Sequence, residues 1–457
     1  MFSTIKKVHF VGIGGIGMSG IAEILINQGF DVSGSDISQG ENTDYLASLG
    51  AKIYIGHTSE NIHDAEVVVY SSAVHPDDNP ETKEAMQRNI PVLRRAEMLA
   101  EVSRLNYCLA ISGTHGKTTT TSIIGLMMMN AGFDPTIIVG GRLKSFGNTN
   151  ARLGKGEWTV VEADEYDRSF LQLSPTIAVI NNVEPEHLDI YKDFDDLKTT
   201  FAEFANKVPF YGFIALGLDD PGVKQILTSL NKKVVSFGLS RNSDIRAEDI
   251  SFEGNSSVFS VVNRGVKAGK VTLNVPGVHN IKNALAAITV GFELGIDFGC
   301  IQQALSEFTG VNRRFEIKGE KNGVMIIDDY AHHPSEIRAT LQAARSGWNR
   351  RIIAVFQPHT YTRTRDFLKD FGCSFDDSDV LFVTDVYAAR EAPIEGINGK
   401  IIADAAVQYG HRNVKYCPDF ADLYKELKTT VKDGDIVITL GAGDIWKISR
   451  QMMEAGE

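Results

Sequence analysis

Short apolar runs alternate with stretches of helical spacing in the first hundred residues. Residues 5–13 form an apolar run that enters glycines, and residues 16–28 repeat apolar positions at the spacing of a helix. Residues 31–36 and 67–72 are predicted as two further short strands. Strands that alternate with helices in this way predict an α/β sheet that is mostly parallel.

The same alternation restarts twice. A new apolar strand at residues 107–113 enters a second glycine turn, and residues 117–131 follow with helical spacing. Residues 244–275 have short alternating strands with turn signals, which predicts a small antiparallel patch. The other predicted strands are 158–164, 176–183, 324–330, 351–357, 380–386 and 435–443, and the other predicted helices are 280–294, 298–308 and 335–346.

These restarts predict three α/β domains, with boundaries at residues 1–106, 107–315 and 316–457. The first and last domains are expected to be Rossmann-like. The middle one is expected to be a P-loop-type domain with a mostly parallel sheet.

The composition excludes several classes of protein. A formal net charge of -12 disfavours a broad nucleic-acid-binding face. No apolar stretch reaches about 18 residues, so no membrane insertion is expected, and the glycine-interrupted start lacks a signal-peptide layout. The 4 cysteines lie far apart without a CxxC pair, as in a reducing compartment. We expect a cytoplasmic enzyme that acts on small-molecule substrates and is either a monomer or a homodimer.

The first glycine turn has the pattern G-x-G-x-x-G. Gly12, Gly14 and Gly17 follow a strand and precede a helix, and Asp36 ends the next strand. Glycines allow close approach of a diphosphate to the helix N-terminus, and an acidic residue there binds a ribose hydroxyl. The motif fits any nucleotide diphosphate, including a UDP-sugar, and a simple tight turn is the alternative.

The second glycine turn is a shortened P-loop. Gly113 and Gly116 precede Lys117 and Thr118, a pair suited to phosphate and Mg2+, whereas Ile111 stands where the full pattern needs glycine. The alternative is a capped helix start with a surface lysine. Two phosphate-type sites in separate domains favour a two-substrate enzyme over a simple dehydrogenase or nucleotide switch.

Acidic residues and a histidine follow the strands next to the second turn. Glu162 ends one strand in EADEYDRSF, and His187 follows the next strand in NNVEPEHLD. Strand ends at one sheet edge can complete a magnesium shell around phosphate oxygens. Asp164, Glu165 and Asp167 are alternatives to Glu162, and imidazole is a less usual ligand of Mg2+.

Taken together, the motifs resemble the muramyl ligase family. GTHGKTTT, EADE, NVEPEHLD, PGVHNIKNALAA and DDYAHHP occur in this order in muramyl ligases. GIGGIGMSG, QPHTYTRTRDF and GAGDIW are similar to the branch that adds L-alanine. The resemblance extends over essentially the whole chain.

This resemblance implies an ATP-dependent ligase with Mg2+ as cofactor. The first domain would bind UDP-N-acetylmuramate, the middle one ATP, and the last one L-alanine. An amide would form through an acyl phosphate, with release of ADP and phosphate, in the synthesis of peptidoglycan precursors.

The resemblance also implies roles for individual residues. Lys117, His187, His332 and Arg314 would be catalytic, with Arg313 as the rival of Arg314. The UDP-sugar site would comprise Gly12, Gly14, Gly15, Ile16, Gly17, Asp36 and Ser71. The ATP site would comprise Gly113, Thr114, His115, Gly116, Lys117, Thr118, Thr119, His279, Asn283 and Arg314, with Thr118, Glu162 and His187 as metal ligands.

In the last domain, residues that follow the ends of two strands would bind the amino acid and the lactyl group. A fork of arginine nitrogens suits a carboxylate, and arginines on a solvated helix start are the alternative. Some relatives have arginine where this chain has Thr360. His187 and His332 both remain candidates for accepting the proton of the amine. The predicted set is Tyr330, His332, His359, Arg363 and Arg365.

Three other functions stay open at this point. A recycling ligase of the same family adds a whole peptide to UDP-N-acetylmuramate. A NAD-dependent oxidoreductase would use the first glycine turn and Asp36. A nucleotide-switched binding module would hydrolyse ATP slowly without an amino acid.

Overall fold

A computed structural model of the chain describes residues 5–143, 149–187, 190–389 and 391–454. Within these residues, the strands form sheets of five, ten and six strands with helices between them. The predicted α/β class with three sheet-based regions is confirmed. No helix among the described residues is both long and apolar enough to cross a membrane.

The first sheet is parallel throughout. Its strands are β1 (Lys7–Val11), β2 (Asp31–Asp36), β3 (Lys52–Ile55), β4 (Val67–Tyr70) and β5 (Val92–Arg94). Its helices are α1 (Ile16–Asn27), α2 (Glu41–Ser48), α3 (Pro80–Gln87) and α4 (Arg95–Ser103). The order β3-β2-β1-β4-β5 puts the central strand β1, and the glycine turn that follows it, at the switch point where such sheets bind ligands.

The second sheet has the order β15-β14-β13-β12-β11-β10-β6-β9-β7-β8. These strands are β6 (Tyr107–Ser112), β7 (Thr136–Leu143), β8 (Thr149–Arg152), β9 (Trp158–Glu162), β10 (Ile177–Ile180), β11 (Phe213–Gly217), β12 (Val234–Gly238), β13 (Ile245–Glu253), β14 (Ser256–Asn263) and β15 (Val266–Leu273). Its helices are α5 (Lys117–Asn130), α6 (Phe194–Asn206), α7 (Pro221–Ile226), α8 (Val278–Glu293) and α9 (Phe298–Glu307). Because β6 runs parallel to both β9 and β10, the three carboxyl ends share one edge.

The third sheet has the order β16-β17-β21-β18-β19-β20, and only its edge pair β16–β17 is antiparallel among the described pairings. These strands are β16 (Glu316–Lys321), β17 (Val324–Asp329), β18 (Ile352–Phe356), β19 (Val380–Val383), β20 (Val414–Tyr416) and β21 (Ile436–Leu440). Its helices are α10 (Pro334–Gly347), α11 (Tyr361–Asp366), α12 (Leu368–Gly372), α13 (Gly399–Gln408), α14 (Phe420–Thr430) and α15 (Trp446–Glu454).

Side chains just before several helices define where those helices begin. The side chain of Asn79 accepts the backbone N–H groups of Glu81 and Thr82 before α3. Asp193 before α6 and Asp220 before α7 do the same for N–H groups of their helices. Each cap satisfies donors that a helix start otherwise leaves unpaired.

The chain divides into two compact units. The first comprises residues 1–248, 260–270 and 282–308, and the second comprises residues 249–259, 271–281 and 309–457. The first sheet and the strands β6 to β12 belong to the first unit, whereas the third sheet belongs to the second unit.

Candidate active site

The first glycine turn is fixed against β2. Gly12 has a φ of 81°, and its N–H and that of Ile13 donate to the carbonyl oxygen of Ser35 at 2.8 and 3.0 Å. The N–H of Gly14 donates to Oδ2 of Asp36 at 2.8 Å. Asp36 therefore holds the turn itself, and its predicted contact with a ribose remains a prediction.

The third glycine of the turn makes room for an arginine. A Cβ added to Gly17 would collide with the guanidinium of Arg95 from α4. The same guanidinium lies 3.9 Å from Oδ2 of Asp164, and Arg94 lies 3.8 Å from Oδ2 of Asp167. The helix α4 thus connects the first glycine turn with the acidic loop after β9.

The second glycine turn needs both of its glycines. Gly113 and Gly116 have φ values of 134° and 80°, in the region that favours glycine. A Cβ on Gly116 would collide with Oδ1 of Asn283 from α8, so the structure brings Asn283 to this turn. His279 lies on the same helix, one turn earlier. The N–H of His115 donates to Oδ1 of Asn182 at 2.7 Å.

Lys117 is the first residue of α5 and is not a surface lysine. Its Nζ donates to the carbonyl oxygen of Gly113 at 2.8 Å and to both carboxylate oxygens of Glu165 at 2.8 and 3.0 Å. Burial opposes its charge, but the carboxylates of Glu165 and Asp164 outweigh burial and raise the pKa of Lys117. The side chain is a fixed cation at the helix N-terminus, where phosphates bind.

Glu165 is the buried partner in this pair, with 1% of its surface exposed. Burial raises its pKa to about 7, against the effect of Lys117. Ligand atoms of Glu165, Glu186 and His187 all lie within 4.8 Å of one another. Glu186 was not predicted, although it directly precedes His187 in the loop after β10.

Glu162 pairs with the threonine of the turn. The hydroxyl of Thr118 donates to Oε1 of Glu162 at 3.1 Å, and the N–H of Gly140 donates to Oε2 at 2.7 Å. The hydroxyl and carboxylate oxygens around this turn form a hard donor set of the kind that Mg2+ prefers. These residues therefore fit the cofactor that the sequence implies.

A second group of predicted residues meets at strand ends of the third sheet. The rings of His332 and His359 have centroids 5.6 Å apart, and Nδ1 of His332 lies 2.9 Å from the carbonyl oxygen of Tyr330. Tyr387, which was not predicted, stacks on His359 at 5.6 Å. This aromatic cluster follows β17, β18 and β19.

The two predicted arginines of α11 differ in their partners. Arg363 places Nη1 3.3 Å from Nδ1 of His359. Burial and, to a smaller extent, the charge of Arg363 lower the pKa of His359 to about 4, so this histidine is neutral near pH 7. Arg365 is half exposed and bonds to the adjacent Asp366 at 2.6 Å. Arg363 therefore contacts the aromatic cluster through His359, whereas Arg365 pairs with Asp366 instead.

The rival arginines before β16 are also distinct. Arg313 bonds to Oδ2 of Asp328 at 3.1 Å and to the carbonyl oxygen of Gly441 at 2.7 Å. Arg314 lies 3.4 Å from Oε1 of Glu336. Both arginines therefore pair with acidic residues of the second unit, and the choice between them stays a prediction.

Family comparisons match the chain in three consecutive parts. The Mur ligase family catalytic domain matches residues 7–107, the Mur ligase middle domain residues 111–291, and the Mur ligase glutamate ligase domain residues 313–443. The chain belongs to the Mur ligase family. The predicted family is thereby confirmed.

Individual relatives align with this Mur ligase along nearly their whole length. The UDP-N-acetylmuramate–L-alanine ligase of Salinibacter ruber is 52% identical over 98% of this chain and 95% of its own. The enzyme of the same name from Geotalea uraniireducens is 52% identical over 99% of both chains. The crystal structure of UDP-N-acetylmuramate–alanine ligase from Thermotoga maritima has a TM-score of 0.84 and 31% identity, and the match covers 98% of both chains.

We expect Gly34→Ala in β2 to destabilise this Mur ligase, because the added Cβ would lie 2.7 Å from the carbonyl oxygen of Phe10 and 2.6 Å from the buried side chain of Ile13. Overpacking of this kind costs about 1–3 kcal/mol. Gly15→Ala in the first glycine turn is the control, since its Cβ would have only ordinary contacts, the nearest at 3.5 Å. Urea unfolding of both variants measures the difference, and equal stabilities would contradict the steric role of Gly34.

We expect Glu165 to make the stability of the metal-free protein depend on pH. Its pKa is raised from 4.5 to about 7, so its stabilisation is complete below pH 4.5 and is lost as pH rises through 7. Relative to Glu165→Gln, the wild type should lose about 1–3 kcal/mol of unfolding free energy between pH 5 and pH 7.5.

Urea unfolding in the presence of EDTA measures this pH profile. Asp167→Asn, at a half-exposed carboxylate in the same loop, is the control and should follow the wild-type profile. Parallel profiles of the wild type and Glu165→Gln would contradict a raised pKa at Glu165.

Proposed function

We propose that this Mur ligase joins L-alanine to the lactyl carboxylate of UDP-N-acetylmuramate, with ATP converted to ADP and phosphate. The full-length similarity to relatives with this substrate pair in their names carries the proposal. The geometry supports it, because two glycine turns on two different sheets offer separate sites for two phosphate-bearing substrates. We further propose domains at residues 1–106, 107–315 and 316–457.

The two glycine turns divide the substrates between them. We assign the diphosphate of the UDP-sugar to the turn after β1, with Gly15, Ile16 and Ser71 alongside the residues described above. The phosphates of ATP are assigned to the turn after β6, where Lys117 is a fixed cation. Thr114 and Thr119 line the same turn, and Asn283 and His279 are assigned to the adenine side.

Mg2+ would be held by Thr118, Glu162 and His187, with Glu165 and Glu186 beside them. The ion would neutralise negative charge on the transferring phosphoryl group. Glu165 has an additional role as the counter-ion that positions Lys117.

ATP is needed because a carboxylate does not react with an amine near neutral pH. The lactyl carboxylate attacks the γ-phosphate and forms an acyl phosphate with release of ADP. The amine of L-alanine then attacks the acyl carbon and forms a tetrahedral intermediate. This intermediate collapses to the amide with loss of phosphate. Lys117 stabilises the charge that develops on the phosphoryl oxygens, and a contribution of Arg314 to this stabilisation stays a prediction.

The cluster on the third sheet would receive L-alanine and the lactyl group. Arg363 can fork onto a carboxylate, and its contact with His359 fixes its position. His359 is neutral near pH 7 and therefore does not repel the incoming ammonium. Tyr330 completes the predicted set. Because Asp366 already binds Arg365, we assign Arg365 to the solvent-exposed surface of the helix and not to a substrate contact.

We assign His332 as the acceptor of the proton that the amine loses. A hydrogen bond from Nδ1 to the carbonyl oxygen of Tyr330 at 2.9 Å requires a proton on Nδ1, so Nε2 is the basic nitrogen of the neutral ring. Glu336 lies 3.3 Å from Nδ1 and stabilises the protonated ring. His187, the other candidate, is assigned to the metal instead.

Phosphate release tests the proposed reaction. Purified protein with ATP, Mg2+ and UDP-N-acetylmuramate should release phosphate only when L-alanine is added. Lys117→Ala should reduce the rate by roughly 100- to 1,000-fold, because a preorganised charge is lost. Lys155→Ala, at an exposed lysine, is the control.

Other substrates decide between the proposal and its rivals. Release with L-Ala-γ-D-Glu-meso-diaminopimelate but not with L-alanine would assign the recycling reaction. Release from ATP alone would favour a nucleotide switch, and a fluorescence change with NADH would favour an oxidoreductase. No coupled release with either amine would contradict a ligase.

Two arginines of one helix offer a matched pair for the amino-acid site. Arg363→Ala should raise the KM for L-alanine or UDP-N-acetylmuramate by about 10- to 100-fold, the loss expected for a hydrogen bond to a charged group. Arg365→Ala should leave both KM values near those of the wild type, because Arg365 pairs with Asp366. Steady-state kinetics that show equal effects would contradict this assignment.

A further inference from the structure

Arg95 lies beside the first glycine turn, although no motif of the sequence includes it. It is the first residue of α4, and a Cβ built on Gly17 would collide with its Nη1 and lie 3.2 Å from its Cδ. Gly17 is the second residue of α1. The guanidinium of Arg95 is therefore next to the N-terminus of α1, the place to which we assign the diphosphate of the UDP-sugar.

The start of α1 lacks a side chain that compensates its N–H groups. The first N–H groups of a helix have no acceptor within the helix. Gly15 at the N-cap offers no side chain, and the first turn of α1 contains no acidic residue. A helix N-terminus is equivalent to roughly half a positive charge, which is less than a diphosphate needs. The residues assigned to the UDP-sugar above include Asp36 and no cation, so a cation is expected beside this turn.

The guanidinium of Arg95 is accessible and makes no hydrogen bond with the described residues. Of its side chain, 26% is exposed, and none of its nitrogens belongs to the buried polar atoms that lack a partner. Its acidic neighbour is Asp164, whose Oδ2 lies 3.9 Å from Nη2, beyond hydrogen-bond distance. A loose pair of this kind at a partly exposed site contributes little to stability. The N–H donors of Arg95 thus remain available to a ligand in the turn.

The chemistry of a guanidinium indicates which group of the substrate it binds. Its planar fork of N–H donors matches two oxygens of a phosphate or a carboxylate. UDP-N-acetylmuramate carries both, in its diphosphate and in its lactyl group. The lactyl carboxylate has to reach the γ-phosphate of ATP at the second glycine turn. The diphosphate is therefore the anionic group that remains for Arg95.

We propose that Arg95 binds the diphosphate of the UDP-sugar together with the N–H groups at the start of α1. This proposal rests on the proposed function, which assigns the sugar nucleotide to this turn. In the free protein, Asp164 keeps the guanidinium beside the turn. In the complex, the diphosphate replaces Asp164 as the main partner of Arg95, because a bidentate pair with phosphate is the stronger interaction.

Titration calorimetry of the full chain with UDP, without ATP, tests this role. We expect Arg95→Gln to raise the Kd for UDP by about 10- to 100-fold, the loss expected for hydrogen bonds to a charged group. Arg104→Gln is the matched control, because it removes the same charge at the other end of α4, where Arg104 pairs with Glu101. It should leave the Kd for UDP near that of the wild type.

Uridine separates a phosphate contact from a structural role. Ligand-observed NMR should show that uridine, which has no phosphate, binds equally to the wild type and to Arg95→Gln. Arg95→Lys keeps the charge but loses the fork, so its Kd for UDP should lie between those of the wild type and Arg95→Gln. In the wild type itself, the Nε–H NMR signal of Arg95, identified by its loss in Arg95→Lys, should shift with UDP and not with uridine.

Three results would overturn the proposal. They are equal binding of UDP to the wild type and Arg95→Gln, an equal loss of UDP and uridine binding in Arg95→Gln, and an Nε–H signal that does not respond to UDP. The phosphate-release assay described above tests the ligase reaction separately. L-alanine-dependent release combined with any of these three results would overturn the role of Arg95 and leave the proposed function in place.

Discussion

Lys117 and Glu165 form a buried ion pair between the second glycine turn and the loop after β9. Removing Glu165 would leave the charge of Lys117 uncompensated in a region from which water is largely excluded, which costs about 3–5 kcal/mol. The pair thus fixes both backbone segments at once. It also holds a cation beside the glycine turn that precedes α5, to which we assign the phosphates of ATP.

The α/β sheets follow from the sequence because buried parallel strands are continuous apolar runs. β6, β10 and β18 are almost completely buried, and each of them was predicted. β3 and β5 are short and half exposed, and their patterns give no comparable signal. Their existence depends on pairing with β2 and β4, a tertiary effect that a local pattern does not contain.

The glycine turns could be predicted residue by residue, whereas their partners could not. A positive φ at Gly113 or Gly116 is a local requirement, so sequence and structure agree there. Arg95 reaches Gly17 from a helix about 80 residues further along the chain, and no spacing rule connects them. Glu186 is a different case, because a carboxylate next to His187 in a loop after a strand is a signal that the sequence did contain.

Helix geometry explains why the two arginines of α11 have different surroundings. Residues two apart on a helix point to nearly opposite sides, so Arg363 and Arg365 have different neighbours. Arg363 contacts His359, which lies before the helix in the loop after β18, whereas Arg365 pairs with Asp366. The helix is short and follows Thr360, whose φ of 66° interrupts any regular pattern. The motif therefore identified the arginines, but only the folded chain shows which of them the histidine cluster holds in place.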